Sequence, residues 1–170
     1  AVGLGTESSG TTFTNTLDAT YTNNKITKIL SKLVGNDISD PNLTYDLYTL
    51  QSDITYTGNN INTWKFSTSF PLTPPVTLPA IVINATFSDY DSNRNPFNNL
   101  PEAYNIISSL YGVESTAVTG FSANNYKKIS VTTNAETQSA IYTYTYDADG
   151  YPTVGVASNN LGTLTFTYIK

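Results

Sequence analysis

The chain has 170 residues, 39% hydrophobic and only 12% charged, with a net charge of -5 and no His, Cys or Met. That length suits one domain with a full core, and 13 Tyr with 7 Phe exclude a disordered chain. The acidic balance, with Lys127-Lys128 the one adjacent basic pair, excludes nucleic acid and anionic membrane surfaces as partners.

Residues 1–15 read as an N-terminal linker, because Ala1 to Gly10 are small and polar. With no Met even at its start, the chain reads as a mature or excised piece that begins after a removed segment. A single β-rich domain is expected over 16–170. Strands are expected at 16–22, 25–32, 44–50, 52–57, 61–69, 80–88, 116–122, 127–133, 138–147, 153–158 and 162–169. Asn23-Asn24, Gly58-Asn59-Asn60 and Asp147-Ala148-Asp149-Gly150 supply the turn chemistry between them. In the last of these, Gly150 stands where a hairpin loop needs positive φ.

Phe70 to Pro79 holds four prolines and reads as a stiff connection more readily than as a Pro-rich ligand. Pro101 to Gly112 predicts a short helix, with Pro in the first turn, Glu102 at the positive end and Gly as the stop. Its spacing puts Tyr104, Ile107, Leu110 and Tyr111 on one face, expected against the sheet. In Ile141 to Tyr146, the residues Tyr142, Tyr144 and Tyr146 share one face and Thr143 and Thr145 the other. Thr163 to Tyr168 repeats the pattern with Leu164, Phe166 and Tyr168. Expected core positions are Tyr142, Tyr144, Tyr146, Leu164, Phe166, Tyr168, Ile81, Ile83, Ile107 and Leu110. No apolar run reaches the length of a membrane helix.

Absence of His and Cys removes the common triads, zinc sites and thiol nucleophiles. Only carboxylate chemistry remains, and the local acid pairs Asp89/Asp91 and Asp147/Asp149 sit in turns, where Asp bonds nearby backbone. The same pairs offer oxygens at alternate positions, as calcium requires, but neither completes a calcium loop. The expectation is therefore a protein that is not an enzyme, with no catalytic residue, no cofactor and no metal. The lone Trp64 suits the core better than an exposed stacking platform, though strand register decides between them. The candidate ligand-binding residues are Trp64, Tyr142, Tyr144 and Tyr146.

Tyr21 to Ile26 and Tyr56 to Ile61 echo each other, with a looser third copy at Tyr146 to Tyr151. Together with Tyr90 to Pro101, which carries Asn95-Pro96-Phe97 before the helix, and the hairpin Asp149-Gly150-Tyr151-Pro152, they resemble a group of Bacteroidota envelope lipoproteins of unknown function. The resemblance covers about 16–170. It implies an all-β fold of long antiparallel strands in a strongly curved or barrel-like, porin-like sheet with one short helix. It also implies an extracytoplasmic, outer-membrane or cell-surface location, with membrane attachment only through a lipidated Cys that this chain lacks. It brings no catalytic residues. Tyr144 to Gly150 is similar to the YD repeats of secreted Rhs-type shells, but Tyr151 stands where those carry Arg. The expected role is a binding or adhesion module for a glycan or an envelope protein. The alternative is a structural subunit of a larger outer-membrane or extracellular assembly, and the oligomeric state is open.

Overall fold

The computed structural model describes residues 11–38, 44–71, 78–111, 115–158 and 161–168. Nine strands form: β1 (Thr11–Thr22), β2 (Lys25–Asp37), β3 (Thr44–Thr57), β4 (Asn60–Ser69), β5 (Val82–Arg94), β6 (Asn124–Thr133), β7 (Glu136–Tyr146), β8 (Pro152–Ala157) and β9 (Thr163–Thr165). One α-helix, α1 (Glu102–Tyr111), lies between β5 and β6, with short 3-10 turns at Pro96–Asn99 and Ser115–Phe121. Strand order follows chain order from β1 to β9, an open meander. The expected fold class, antiparallel β with one helix, is what the chain adopts.

The sequence reading drew one domain over 16–170. The chain's contacts gather it into two compact units, one of Ala1–Asp53 with Lys65–Val82, the other of Ile54–Trp64 with Ile83–Lys170. Strand β1 begins at Thr11, so residues 11–15 of the expected linker are strand.

In the first unit, β1 and β2 form a long hairpin. Its turn residues Asn23 and Asn24 have φ of 51° and 59°, the left-handed pair that a two-residue hairpin needs and that Asn tolerates. Ile26, Ile29 and Leu50 are buried with the small polar Ser31 and Ser52. The Ser31 hydroxyl donates to Asn15 Oδ1 at 2.9 Å, which satisfies it inside the sheet. The expected strands 44–50 and 52–57 are one strand, β3, in which Leu50, Ser52 and Ile54 keep an unbroken alternation of buried positions. Most of the Pro-rich connection, residues 72–77, lies outside the described residues. Beside it, Ile81 bonds to Thr68 through Thr68 N to Ile81 O at 2.9 Å and Ile81 N to Thr68 Oγ1 at 3.1 Å.

In the second unit, β5 to β9 pair in succession. Phe87, Tyr126, Ile129, Ala140 and Ala157 are buried, as are Ile54, Ile61 and Trp64. Strand β7 follows the sequence reading: Tyr142, Tyr144 and Tyr146 are half-buried and Thr143 and Thr145 are exposed. On the outer face, hydroxyls pair across strands, Ser130 with Ser139 at 2.6 Å and Thr132 with Thr137 at 2.8 Å.

Three expectations change. The segment read as a strand at 116–122 is the 3-10 turn. Asn side chains, not a ladder, take its carbonyls: Asn95 Nδ2 donates to Thr119 O and Asn98 Nδ2 to Gly120 O. The helix is rotated from the expected face. It buries Asn105, Ile106, Ser109 and Leu110 and leaves Tyr104, Ile107 and Tyr111 exposed. Two of its buried residues are polar and hydrogen-bonded, Ser109 by donating to Ile106 O at 2.7 Å and Asn105 by donating to Phe97 O at 3.5 Å, so an apolar stripe could not reveal the face. Of the remaining expected core positions, Leu110 is buried and Ile83, Leu164 and Phe166 are half-buried, whereas Ile81 and Tyr168 are exposed because each lies outside the strands, Ile81 just before β5 and Tyr168 beyond β9, which ends at Thr165 rather than at the expected 169.

Candidate ligand-binding groove

The site is organised by Asn95. Its Oδ1 accepts from Phe97 N at 3.0 Å and caps the 3-10 turn, with Pro96 in the first turn position. Its Nδ2 donates to Thr119 O at 2.6 Å and Ser122 O at 2.9 Å, and its backbone N–H donates to Ala123 O at 3.1 Å. A side chain bonded in three directions while 4% exposed cannot turn, so the turn it caps is fixed. Asn105 Nδ2 on α1 reaches Phe97 O at 3.5 Å. Gly120 makes this approach possible, because a Cβ there would lie 2.1 Å from Asn105 Oδ1.

The product of that framework is the placement of Phe97. Its ring meets Phe166 edge to face at 6.1 Å. Pro96, Phe97, Leu100, Leu164, Phe166 and Tyr168 border an open groove of about 530 Å³. A much smaller recess of about 20 Å³ adjoins it and shares Phe97, Leu164 and Phe166, with Tyr126 and Tyr144 in its wall. No ionisable carboxylate or cation lines either space; the walls are aromatic, aliphatic, hydroxyl and amide.

Tyr144 belongs to a ladder of rings. Tyr142 and Tyr144 stack at 6.0 Å, Tyr126 meets Tyr142 edge to face at 5.6 Å, and Tyr146 follows Tyr144 at 6.2 Å. Gly155 on β8 clears room for the Tyr144 ring, since a Cβ there would stand 2.7 Å from its Cε1. Burial pushes the Tyr126 and Tyr144 phenols well up from their ordinary value, with neighbouring phenols adding to it, so the recess wall is neutral at physiological pH. Tyr146 OH donates to Asp91, and Asp91 Oδ1 also accepts from Asn93 N at 3.0 Å and Asn125 N at 3.2 Å. Burial and that bond hold the Tyr146 phenol up as well.

The candidate residues read from sequence are distributed accordingly. Tyr144 lines the recess, while Tyr142 and Tyr146 continue its ring ladder. Trp64 is 2% exposed, a core position with no face on which a sugar could stack. Phe97, Leu100, Leu164 and Phe166, which carry most of the apolar wall, were not candidates. The Asn95-Pro96-Phe97 element was visible in the sequence, but its partner across the groove lies about seventy residues away. Both acid pairs engage backbone: Asp91 as above, and Asp147 Oδ1 by accepting from Asp149 N at 3.0 Å and Tyr151 N at 2.9 Å. Among the described residues, no three Asp or Glu side chains gather as a metal cluster.

No family model and no curated protein matches this chain. Two solved structures are similar to it. One is a porin-like protein from Bacteroides vulgatus ATCC 8482, with a TM-score of 0.50, 12% identity, and coverage of 91% of this chain and 63% of that one. The other is a porin-like protein from Bacteroides uniformis ATCC 8492, with a TM-score of 0.35, 12% identity, and coverage of 84% of this chain and 68% of that one. This chain thus spans less than two thirds of the first neighbour's length. At such identity the likeness defines the class by fold: an antiparallel, porin-like β protein.

Proposed function

We propose that this chain is a non-enzymatic binding module of the bacterial cell envelope, whose aromatic groove receives a glycan or an apolar segment of another envelope protein. The observation that carries the reading is the groove itself, an open, uncharged concavity walled by Phe97, Leu100, Leu164 and Phe166 and held on a hydrogen-bonded Asn framework. Sugar rings and apolar side chains both present C–H faces to such rings. The outer-membrane or cell-surface setting is supported by the porin-like fold of the Bacteroides neighbour and by the low charge. Attachment through a lipidated Cys outside this sequence is part of the same proposal and rests on the resemblance of the hairpin and Asn-Pro-Phe motifs.

Isothermal titration of the purified chain against soluble bacterial polysaccharides and detergent-solubilised outer-membrane proteins tests the reading. Phe97→Ala and Phe166→Ala should each weaken the strongest interaction by about tenfold or more, about 1.4 kcal/mol, which is a modest value for an aromatic anchor. Binding that survives both substitutions, or no binding in either class, refutes the groove as the site.

A further inference from the structure

We infer that the ligand of this groove is a neutral glycan at least two sugar units long, one of them held at a polar subsite made by Tyr168, Tyr151 and Arg94. The inference rests on the reading of the groove as a binding site and names its ligand class.

The first observation is what adjoins the groove. Its wall includes Tyr168, whose ring meets that of Tyr151 at 5.4 Å. The Arg94 guanidinium stands over the Tyr151 ring, 5.8 Å from its centre. Tyr168 therefore belongs both to the groove and to a second aromatic cluster, and all of these residues lie in the second unit. Hydrogen bonds fix this cluster too. Tyr168 Oη donates to Pro152 O at 2.6 Å. Tyr151 N donates to Asp147 Oδ1 and Asp147 N to Tyr151 O, each at 2.9 Å. Two ring pairs, Phe97 with Phe166 and Tyr151 with Tyr168, thus offer two places for a sugar ring.

The second observation is the state of Arg94, the only arginine of the chain. Its guanidinium is exposed and makes one hydrogen bond among the described residues, from Nη1 to Tyr151 Oη at 3.4 Å. A planar fork of five N–H donors beside an aromatic face is left largely unused. Thr165 and Thr167 add exposed hydroxyls to the groove wall. A sugar ring presents a C–H face and a rim of hydroxyls at once, so it matches rings and donors together. An apolar protein segment matches the rings alone and strips water from the fork and hydroxyls without replacing those hydrogen bonds.

Charge selects the class of glycan. The Asp149 carboxylate acts electrostatically on Arg94, and that of Asp147 on Tyr168. Two carboxylates against one guanidinium leave the local field negative, in a chain of net charge -5. Uronates and sulfated or phosphorylated sugars are repelled there, and uncharged sugars are admitted.

Isothermal titration of the full chain is the test. The probes are neutral polysaccharides (dextran, mannan and xylan), acidic ones (polygalacturonate and alginate), and oligosaccharides cut from whichever binds. A neutral polysaccharide should bind, with the same affinity at low and high salt, and neither acidic one should. Its disaccharide should bind at least about tenfold more tightly than its monosaccharide. Arg94→Gln should weaken the polysaccharide about tenfold, and Arg94→Lys, which keeps the charge without the fork, should weaken it similarly. Arg94 is exposed, so both variants should keep the wild-type circular dichroism spectrum. Polysaccharide binding that is lost in Phe97→Ala and Phe166→Ala but untouched by both Arg94 variants overturns the subsite and leaves the groove. Preference for polygalacturonate or alginate overturns the neutral class. An outer-membrane protein bound through Phe97 and Phe166, with no polysaccharide bound, overturns the glycan and again leaves the groove. Binding of nothing, or binding indifferent to both Phe substitutions, removes the groove reading and this inference with it.

Discussion

The tightest approach in the site is that of Gly120 to Asn105, and adding one methyl group there tests the whole framework. A Cβ on Gly120 would stand 2.1 Å from Asn105 Oδ1, 2.5 Å from Cγ and 2.7 Å from Nδ2. Asn105 is 6% exposed, so its amide cannot swing out to solvent. Gly120 shows no positive φ, so the effect of Gly120→Ala is steric rather than conformational. Overpacking costs about 1–3 kcal/mol, and stripping the amide of its bond to Phe97 O costs a further 1–3 or so, giving about 2–6 kcal/mol in all. Urea denaturation, with an unchanged slope, measures this. Asn105→Ala vacates the contested space, so the double variant should lose at least about 1 kcal/mol less than the sum of the singles. A loss below about 0.5 kcal/mol for Gly120→Ala, or strict additivity in the cycle, refutes the packing argument, since independent surface sites behave that way.

Gly150 has φ of 80°, so Gly150→Val should cost about 1–3 kcal/mol in the same assay, and an unchanged midpoint would contradict the turn. Ala135 occupies φ of 71° in the β6–β7 turn, where Gly is unstrained; Ala135→Gly should stabilise by up to about 1 kcal/mol, and any loss would argue against that conformation. Tyr144→Ala should cost about 2–3 kcal/mol, less than a fully buried ring, whereas exposed Thr145→Ala should stay within about 0.5. Equal small losses would show that the ring ladder does not stabilise the sheet. Burial raises the Tyr90 phenol to about 12, and Tyr126, Tyr144 and Tyr146 are raised as well. The unfolded chain ionises near 10 while these phenols stay protonated in the fold. Their stabilisation is thus complete below pH 10 and lost as pH rises toward about 12 and beyond. Falling urea midpoints over that window, with late tyrosinate absorbance, should be seen; a flat profile would contradict the buried phenols.

Period-2 alternation and turn chemistry determined most of the strands, because both are local. Tyr142, Tyr144 and Tyr146 share a face wherever β7 is placed, and Asn23-Asn24 and Gly150 adopt left-handed φ for reasons internal to each residue. Elements whose backbone is satisfied by distant groups were decided only by tertiary structure. The segment at 115–121 has strand-like composition, yet Asn95 and Asn98 capture its carbonyls and Gly120 admits Asn105, so it forms a 3-10 turn. The face of α1 turned on two buried polar residues, Asn105 and Ser109, whose bonds make their burial tolerable and which hydrophobic spacing could not register. Likewise the groove joins Phe97 to Leu164 and Phe166 across the unit. That contact depends on strand pairing from β5 to β9, a non-local property that no short stretch of sequence contains.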